Sequence, residues 1–309
     1  MLNPILDESL ETTSNDSTQW AIKHNCCCCG PYVDVYVPNK KPRHFLRQWE
    51  FRPTMPILVT FLAVYCLFVY FFAILPYQYT IIIQIISPFP ILFSFVLFIW
   101  SYYAAVCMDP GFLPYNWINT QKFYYTWQEQ LSGLAVTPAQ KEFAKDQKNR
   151  PPHCSFSQTS GRYVVRADHI CVWIENWVGK RNHKQFMLLN LWGFCYCFLL
   201  FGFNFAIKED IFERKTHLLV LQLTGMGIEA MFGFITCSFF FICLYDLAKN
   251  RTKIQKMRGE KGDFSYRCID SMQEVCGTGT KWLWCCPTPA FGKNLIITND
   301  MPQIEDGSE

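Results

Sequence analysis

Residues 168–171 read Asp-His-Ile-Cys, which places a thiol two positions after an imidazole and three after a carboxylate. In extended or irregular backbone, side chains two apart fall on one side of the chain, so His169 and Cys171 can meet; in a helix they cannot. An adjacent imidazole takes the thiol proton and lowers its effective pKa from about 8.5, which gives a thiolate nucleophile near neutral pH. Asp168 can accept the proton on the other ring nitrogen and hold the imidazole, the logic of Ser-His-Asp sites and their cysteine variants. The spacing alone is not specific, since a chain with six histidines and sixteen cysteines also yields His-x-Cys by chance.

The elements that must position this loop are apolar. Half of the 309 residues are hydrophobic, and no charged side chain occurs between Arg52 and Asp109. At roughly 20 apolar residues per crossing of the hydrocarbon core, that stretch holds two spans, expected near 55–75 and 80–106 with a hinge at Leu75, Pro76 and Tyr77. A second pair is expected near 186–207 and 218–245, separated by the charged segment Lys208 to His217. The first apolar run begins too far in and is too long for a secretory signal peptide, so it is read as a retained span. The expected fold is an all-α membrane protein with four transmembrane helices in two hairpins and an irregular cytosolic subdomain between helices 2 and 3. The expected divisions are an N-terminal segment 1–52, hairpin 53–108, cytosolic domain 109–185, hairpin 186–245 and C-terminal segment 246–309. Residues 1–25 read as a polar, disordered tail, and residues 138–148 as an amphipathic helix begun by Thr137-Pro138.

Lys40, Lys41, Arg43, Arg47 and Arg52 precede the first span, Lys180, Arg181 and Lys184 precede the third, and Lys249 to Arg258 follow the fourth, whereas the first connecting turn carries no Lys or Arg. Both termini and the 109–185 loop are therefore expected to face the cytosol. The cysteines are read as reduced, because they lie in spans or cytosolic segments. Cys26 to Cys29 read as an acylation or metal-binding run in a tail near the bilayer. The net charge of +3 gives no reason to expect a nucleic-acid partner.

The surroundings of the reactive loop carry more information than its spacing. Pro151-Pro152, Arg162, Val164, Arg166, Asp168-His169, Cys171, Trp173, Asn176, Gly179, Asn182 and Phe186 fall without a gap on one pattern, which resembles the cysteine-rich domain of the DHHC family of protein S-acyltransferases. Asp109-Pro110-Gly111 is similar to the family's motif after the second span. Asn250 to Gln255 is similar to its Asn-x-Thr-Thr-x-Glu motif, with Lys253 and Gln255 as departures, and Val275-Cys276-Gly277 is a weaker match to its C-terminal Val-Phe-Gly. Together these resemblances cover roughly residues 50–290.

The resemblance implies two zinc ions, each held by three cysteines and a histidine, but the gapless register assigns those eight positions to Phe143, Asp146, Phe156, Ser157, Ser160, Tyr163, Ile170 and Trp177. A closed zinc site needs four nitrogen or sulfur ligands, so no zinc is expected and no metal ligand is assigned. Each structural zinc supplies on the order of 10 kcal/mol of folding free energy in small domains. A hydrophobic cluster of Phe156, Tyr163, Ile170 and Trp177 is expected to replace it, at roughly 1.5–3 kcal/mol per well-buried side chain. Asp168, His169 and Cys171 are intact while all eight ligand positions have changed, which argues for a working nucleophile.

The resemblance then implies palmitoyl-CoA or another long-chain acyl-CoA as substrate, an acyl-Cys171 intermediate with His169 as base and Asp168 as its orienter, and cysteine-bearing proteins at the bilayer surface as acceptors. Val172 stands where the family has proline, while Trp173 is kept and is expected to shield the thioester. Arg162, Arg166, Trp173, Lys180 and Arg181 are candidate contacts for coenzyme A, the cations equally readable as a basic patch facing the membrane. An endomembrane compartment such as Golgi or ER, or the plasma membrane, is expected. The alternatives are a catalytically silent scaffold, or a channel around Glu229. That carboxylate, midway along the fourth span, must face the bundle interior whichever reading holds.

Overall fold

The computed structural model describes residues 53–111, 154–157, 163–207, 215–259 and 267–290, together with the backbone of residues 20–26, 30–36, 43–46, 49–50 and 162. Helix α1 (Thr54–Val69) continues through a π-helical turn (Tyr70–Ile74) and a 3-10 turn (Leu75–Tyr77). After α2 (Ile81–Ile86) and α3 (Pro88–Cys107) come four short strands, β5 (Cys154–Ser157), β6 (Arg162–Val165), β7 (His169–Cys171) and β8 (Asn176–Val178). The strands β1 (Trp20–Cys26), β2 (Gly30–Tyr36), β3 (Arg43–Leu46) and β4 (Trp49–Glu50) precede the helices. Helices α4 (His183–Phe203), α5 (Thr216–Ala248), α6 (Lys253–Met257) and α7 (Cys268–Cys276) complete the order, followed by a 3-10 segment Lys281–Cys285.

Four helical stretches, Thr54–Tyr77, Ile81–Cys107, His183–Phe203 and Thr216–Ala248, are long and apolar enough to cross a membrane. Their outward residues are large and apolar, among them Phe61, Phe89 and Phe234 at 64%, 70% and 76% exposure, a surface that water would penalise and acyl chains accept. The protein is an integral membrane protein. Because α3 ends, α4 begins and α5 ends at the same face of the bundle, the chain between α3 and α4 returns to the place where α6 follows α5. Polar side chains cross the bundle as well as apolar ones: Tyr196 donates to the Ala63 carbonyl at 2.9 Å, and Asn204 donates to Glu229 at 2.9 Å. Glu229 is 1% exposed, inside the bundle as its position in the fourth span requires.

The expected four-helix architecture is present, with more sheet than expected. Strands β1 to β4 form one antiparallel sheet with Trp20 opposite Tyr36 and Cys26 opposite Gly30. Residues 20–25 thus belong to a hairpin, where a disordered tail was expected; the returning strand, Tyr-Val-Asp-Val-Tyr, is rich in residues that favour extended backbone. The helix expected at 138–148 and the cysteines at 27–29 lie outside the described residues.

Candidate functional site

β5 pairs with β6, and β7 pairs with β8, each antiparallel. Residues opposite one another in such a ladder share a face, and neighbours along a strand alternate. His169, Cys171, Asn176 and Val178 therefore share one face of the β7–β8 ladder, and Ile170 with Trp177 the other. Cys171 is 6% exposed and packs with Ile174 and Val178 in the core of the bundle, whereas Ile170 is 62% exposed.

The ladder is fixed to the helices by amides. Asn176 Nδ2 lies within hydrogen-bond distance of the carbonyls of Ala105, Val106 and Met108 at 3.3, 3.2 and 3.0 Å, where α3 runs out of its own donors. Asn182 donates to Trp177 O at 2.7 Å and Ala105 O at 3.3 Å, and accepts from the Gly179 N–H at 2.9 Å. Tyr102 donates to the Trp173 carbonyl at 2.7 Å, tying α3 to the turn that follows the cysteine. Gly179 has no room for a side chain, since a Cβ there would stand 2.4 Å from the Pro110 carbonyl. Pro110 O accepts from the Arg181 N–H and Gly111 O from the Val165 N–H, so the Asp109-Pro110-Gly111 motif is a brace for this loop.

Asp168 Oδ2 lies 2.8 Å from His169 Nδ1, and its Oδ1 accepts from the Lys253 backbone N–H at 2.8 Å. Burial by itself would raise the Asp168 carboxyl, but the hydrogen bond with His169 and the nearby His183 and Lys253 hold it well below the usual carboxylate range. An ionised carboxylate only accepts, so Nδ1 of His169 carries the proton and Nε2 is the basic nitrogen of the neutral ring. The Cys171 thiol is pushed upward by burial, while the backbone N–H groups of Ile174 and Trp173 and the charge of Lys253 pull it down. Burial prevails, so the resting thiol keeps its proton.

Cys171 opens onto a cavity of about 60 Å³ lined with Tyr102, Trp173, Ile174, Phe186 and Phe239. A second cavity of about 40 Å³, lined by Cys66, Gly193 and Cys197, shares the walls Val59, Phe98, Phe232 and Thr236 with the first and continues into the bundle. The thiol thus stands at an apolar cavity between the spans, with a second cavity behind shared walls.

The expected replacement for metal is present in part. Phe156 and Tyr163 face each other across β5–β6 with ring centroids 5.3 Å apart, and Trp177 packs with Val164, Ala167 and Ile254. Ile170, opposite Trp177 on the same face of the ladder, is 62% exposed and lies outside that cluster. Positions 143, 146 and 160 lie outside the described residues. At the described positions, Phe156, Ser157, Tyr163, Ile170 and Trp177 offer neither imidazole nor thiolate, so these residues do not fit a zinc site.

Arg166 is 7% exposed, donates to Asn250 at 3.2 Å and lies 3.6 Å from Glu274. It ties the loop to the C-terminal segment. Arg181 is 3.8 Å from Asp109 and Lys180 is half-buried, both nearer the surface. Trp173 is 40% exposed and meets Phe232 edge-on at the cavity. The side chain of Arg162 lies outside the described residues.

Two further roles were hidden in apparent departures. Thr252 and Gln255 form a reciprocal capping box at the start of α6, with Gln255 N–H donating to Thr252 Oγ1 at 3.2 Å and Thr252 N–H donating to Gln255 Oε1 at 2.8 Å. Glutamine serves there as well as glutamate. Lys253, which follows the cap, is at the reactive loop itself.

Residues 138–260 match the DHHC palmitoyltransferase family. This part of the chain is a DHHC-family domain. The chain is 32% identical over 116 residues to "Probable protein S-acyltransferase 14" of Arabidopsis thaliana, which covers 34% of this chain and 38% of that protein. It is 24% identical over 230 residues to "Palmitoyltransferase ZDHHC3-A" of Danio rerio, covering 66% and 70%, and 26% identical over 226 residues to "Palmitoyltransferase ZDHHC20" of Homo sapiens, covering 62% and 60%. The first of these alignments spans less than two fifths of its relative, and the other two about two thirds. The DHHC domain as matched takes in β5 to β8, α4, α5 and α6, the elements that build the reactive loop.

Proposed function

We propose that this chain is a protein S-acyltransferase that moves a long-chain acyl group, such as palmitoyl, from acyl-CoA through Cys171 to cysteines of other proteins. The observation that carries the reading is the Cys171 thiol, on the same strand face as an Asp168-held His169, at an apolar cavity between membrane spans. His169 Nε2 takes the thiol proton, and the thiolate sulfur bonds to the acyl carbon as the bond from that carbon to the coenzyme A sulfur breaks. Coenzyme A leaves as a thiol with the proton from His169. An acceptor thiol then gives His169 its proton, its sulfur takes the acyl carbon, and Cys171 regains its proton.

Burying the chain at about 0.8 kcal/mol per methylene anchors the substrate in the bundle. Trp173 beside the thiol shields the thioester, and Arg162, Lys180 and Arg181 are the cations for coenzyme A phosphates. The zinc ligand positions do not suit a metal, and no step requires one. The basic flanks of the spans support cytosolic termini and a cytosolic catalytic domain at 109–185, in an endomembrane such as Golgi or ER or in the plasma membrane. The divisions proposed are an N-terminal segment 1–52, hairpin 53–108, catalytic domain 109–185, hairpin 186–245 and C-terminal segment 246–309.

The raised thiol and the changed ligand positions favour a second reading, a silent DHHC-like scaffold whose Cys171 is at most acylated itself. Turnover separates the two. Purified protein in detergent, given palmitoyl-CoA and a cysteine-containing acceptor peptide, should form many acyl-peptides per chain, and Cys171→Ser should form none. Single-turnover loading without transfer supports the scaffold, and unchanged transfer by Cys171→Ser overturns the proposed role of the thiol.

A further inference from the structure

Lys253 belongs to α6, after the fourth span, yet it reaches the reactive loop twice. Its backbone N–H donates to Asp168 Oδ1 at 2.8 Å, and its Nζ stands 3.5 Å from Asp168 Oδ2, the oxygen that also meets His169. The ammonium lies over two aromatic rings, 5.5 Å from the centroid of Phe186 and 5.1 Å from that of Phe239. Both rings line the Cys171 cavity, and Phe186 also carries the His169 ring at 4.9 Å. A cation sandwiched between a carboxylate and two ring faces is held in place, and low surrounding polarity lengthens its reach.

We propose that Lys253 is a positioning residue for the thiol chemistry: its ammonium fixes the Asp168–His169 pair and supplies the positive field that favours an anionic sulfur at Cys171. The inference rests on the reading of Cys171 as nucleophile and adds the group that offsets the burial of its thiol. The backbone contact alone would brace the loop. The side chain adds charge, and charge is what a buried thiol lacks. Other titratable or charged groups surround the same point: Asp168, His169 and Arg166 on its own segment, Tyr102 from α3, His183 from α4, Cys243 and Asp246 from α5, and Lys256 from α6. Among these Asp168, Asp246 and an ionised Cys243 oppose a thiolate, and Lys253 is the cation in direct contact with the Asp168–His169 pair.

The test measures Cys171 itself and needs no acyl transfer. Full-length protein in detergent is alkylated with iodoacetamide from pH 6 to 10, and the rate at Cys171 is read on its peptide by mass spectrometry. Lys253→Met should shift the rise in rate upward by about one pH unit, a fall of about tenfold near neutral pH that disappears at the alkaline end. Lys253→Arg should follow wild type, and Lys253→Gln, which keeps a polar side chain of similar reach, should behave as Lys253→Met if the latter folds poorly. A Lys253→Met or Lys253→Gln curve that coincides with wild type, or lies below it by one factor at every pH, overturns the inference. Such a result leaves the acyl-transfer reading standing, because only Cys171→Ser in the turnover assay bears on that.

Discussion

The β5–β6 and β7–β8 ladders follow one another in the chain and are held by different forces. In the first, Phe156 meets Tyr163 ring to ring, at positions where the resemblance would have put metal ligands. In the second, the contacts that matter are polar and specific: Asn176 to three carbonyls at the end of α3, Asn182 to Trp177 and Gly179, and Asp168 to His169 and Lys253. Apolar packing depends on volume and tolerates exchange, whereas a buried amide or carboxylate needs its partners at fixed positions. The first ladder can therefore hold an aromatic pair at two of those positions, whereas Asp168, Asn176 and Asn182 beside the thiol depend on fixed partners.

Substitutions can break this contrast. His169→Ala should slow acyl loading of Cys171 by about a hundred- to ten-thousandfold with little change in thermal stability, measured by alkyne-fatty-acid labelling and a melt in detergent. A melt that collapsed with it would mean that the imidazole is a structural group. Asn176→Ala should come next, because it leaves buried α3 carbonyls without a donor; a loss of about 2–3 kcal/mol in stability is expected, with loading lost in step. Phe156→Ala should lower stability by about 1–3 kcal/mol while each folded molecule still loads at the normal rate. If loading per folded molecule fell tenfold instead, the first ladder would be part of the chemistry. Ile170→Ala should change stability by less than about 0.5 kcal/mol, since the side chain is 62% exposed.

Much of the site could be read in the sequence because its cues are local. The uncharged apolar runs located the spans, and the two-residue alternation that puts His169 and Cys171 on one face is the geometry of β7. Ile170 shares a face of the ladder with Trp177 yet is 62% exposed, because the cluster around Trp177 is made by Val164, Ala167 and Ile254, contacts that the local pattern does not show. Lys253 and Gln255 stood out as departures from a motif, and neither role was visible: the capping box depends on where α6 begins, and the Lys253 contact joins residues 85 apart in the chain. Arg166 read as a surface cation because its burial is created by Asn250 and Glu274, far along the sequence. The β1–β2 hairpin was missed because its first strand, Trp20–Cys26, mixes polar and apolar residues without a clean alternation.

The most direct measurement is the location of the acyl group after a brief incubation of the purified protein with palmitoyl-CoA, with zinc content determined on the same sample. A nucleophile held on a scaffold without metal requires a hydroxylamine-sensitive acyl group on the Cys171 peptide in a preparation holding well under one zinc per chain. An unmodified Cys171 peptide beside acylated Cys26 to Cys29 or other cysteines would contradict it.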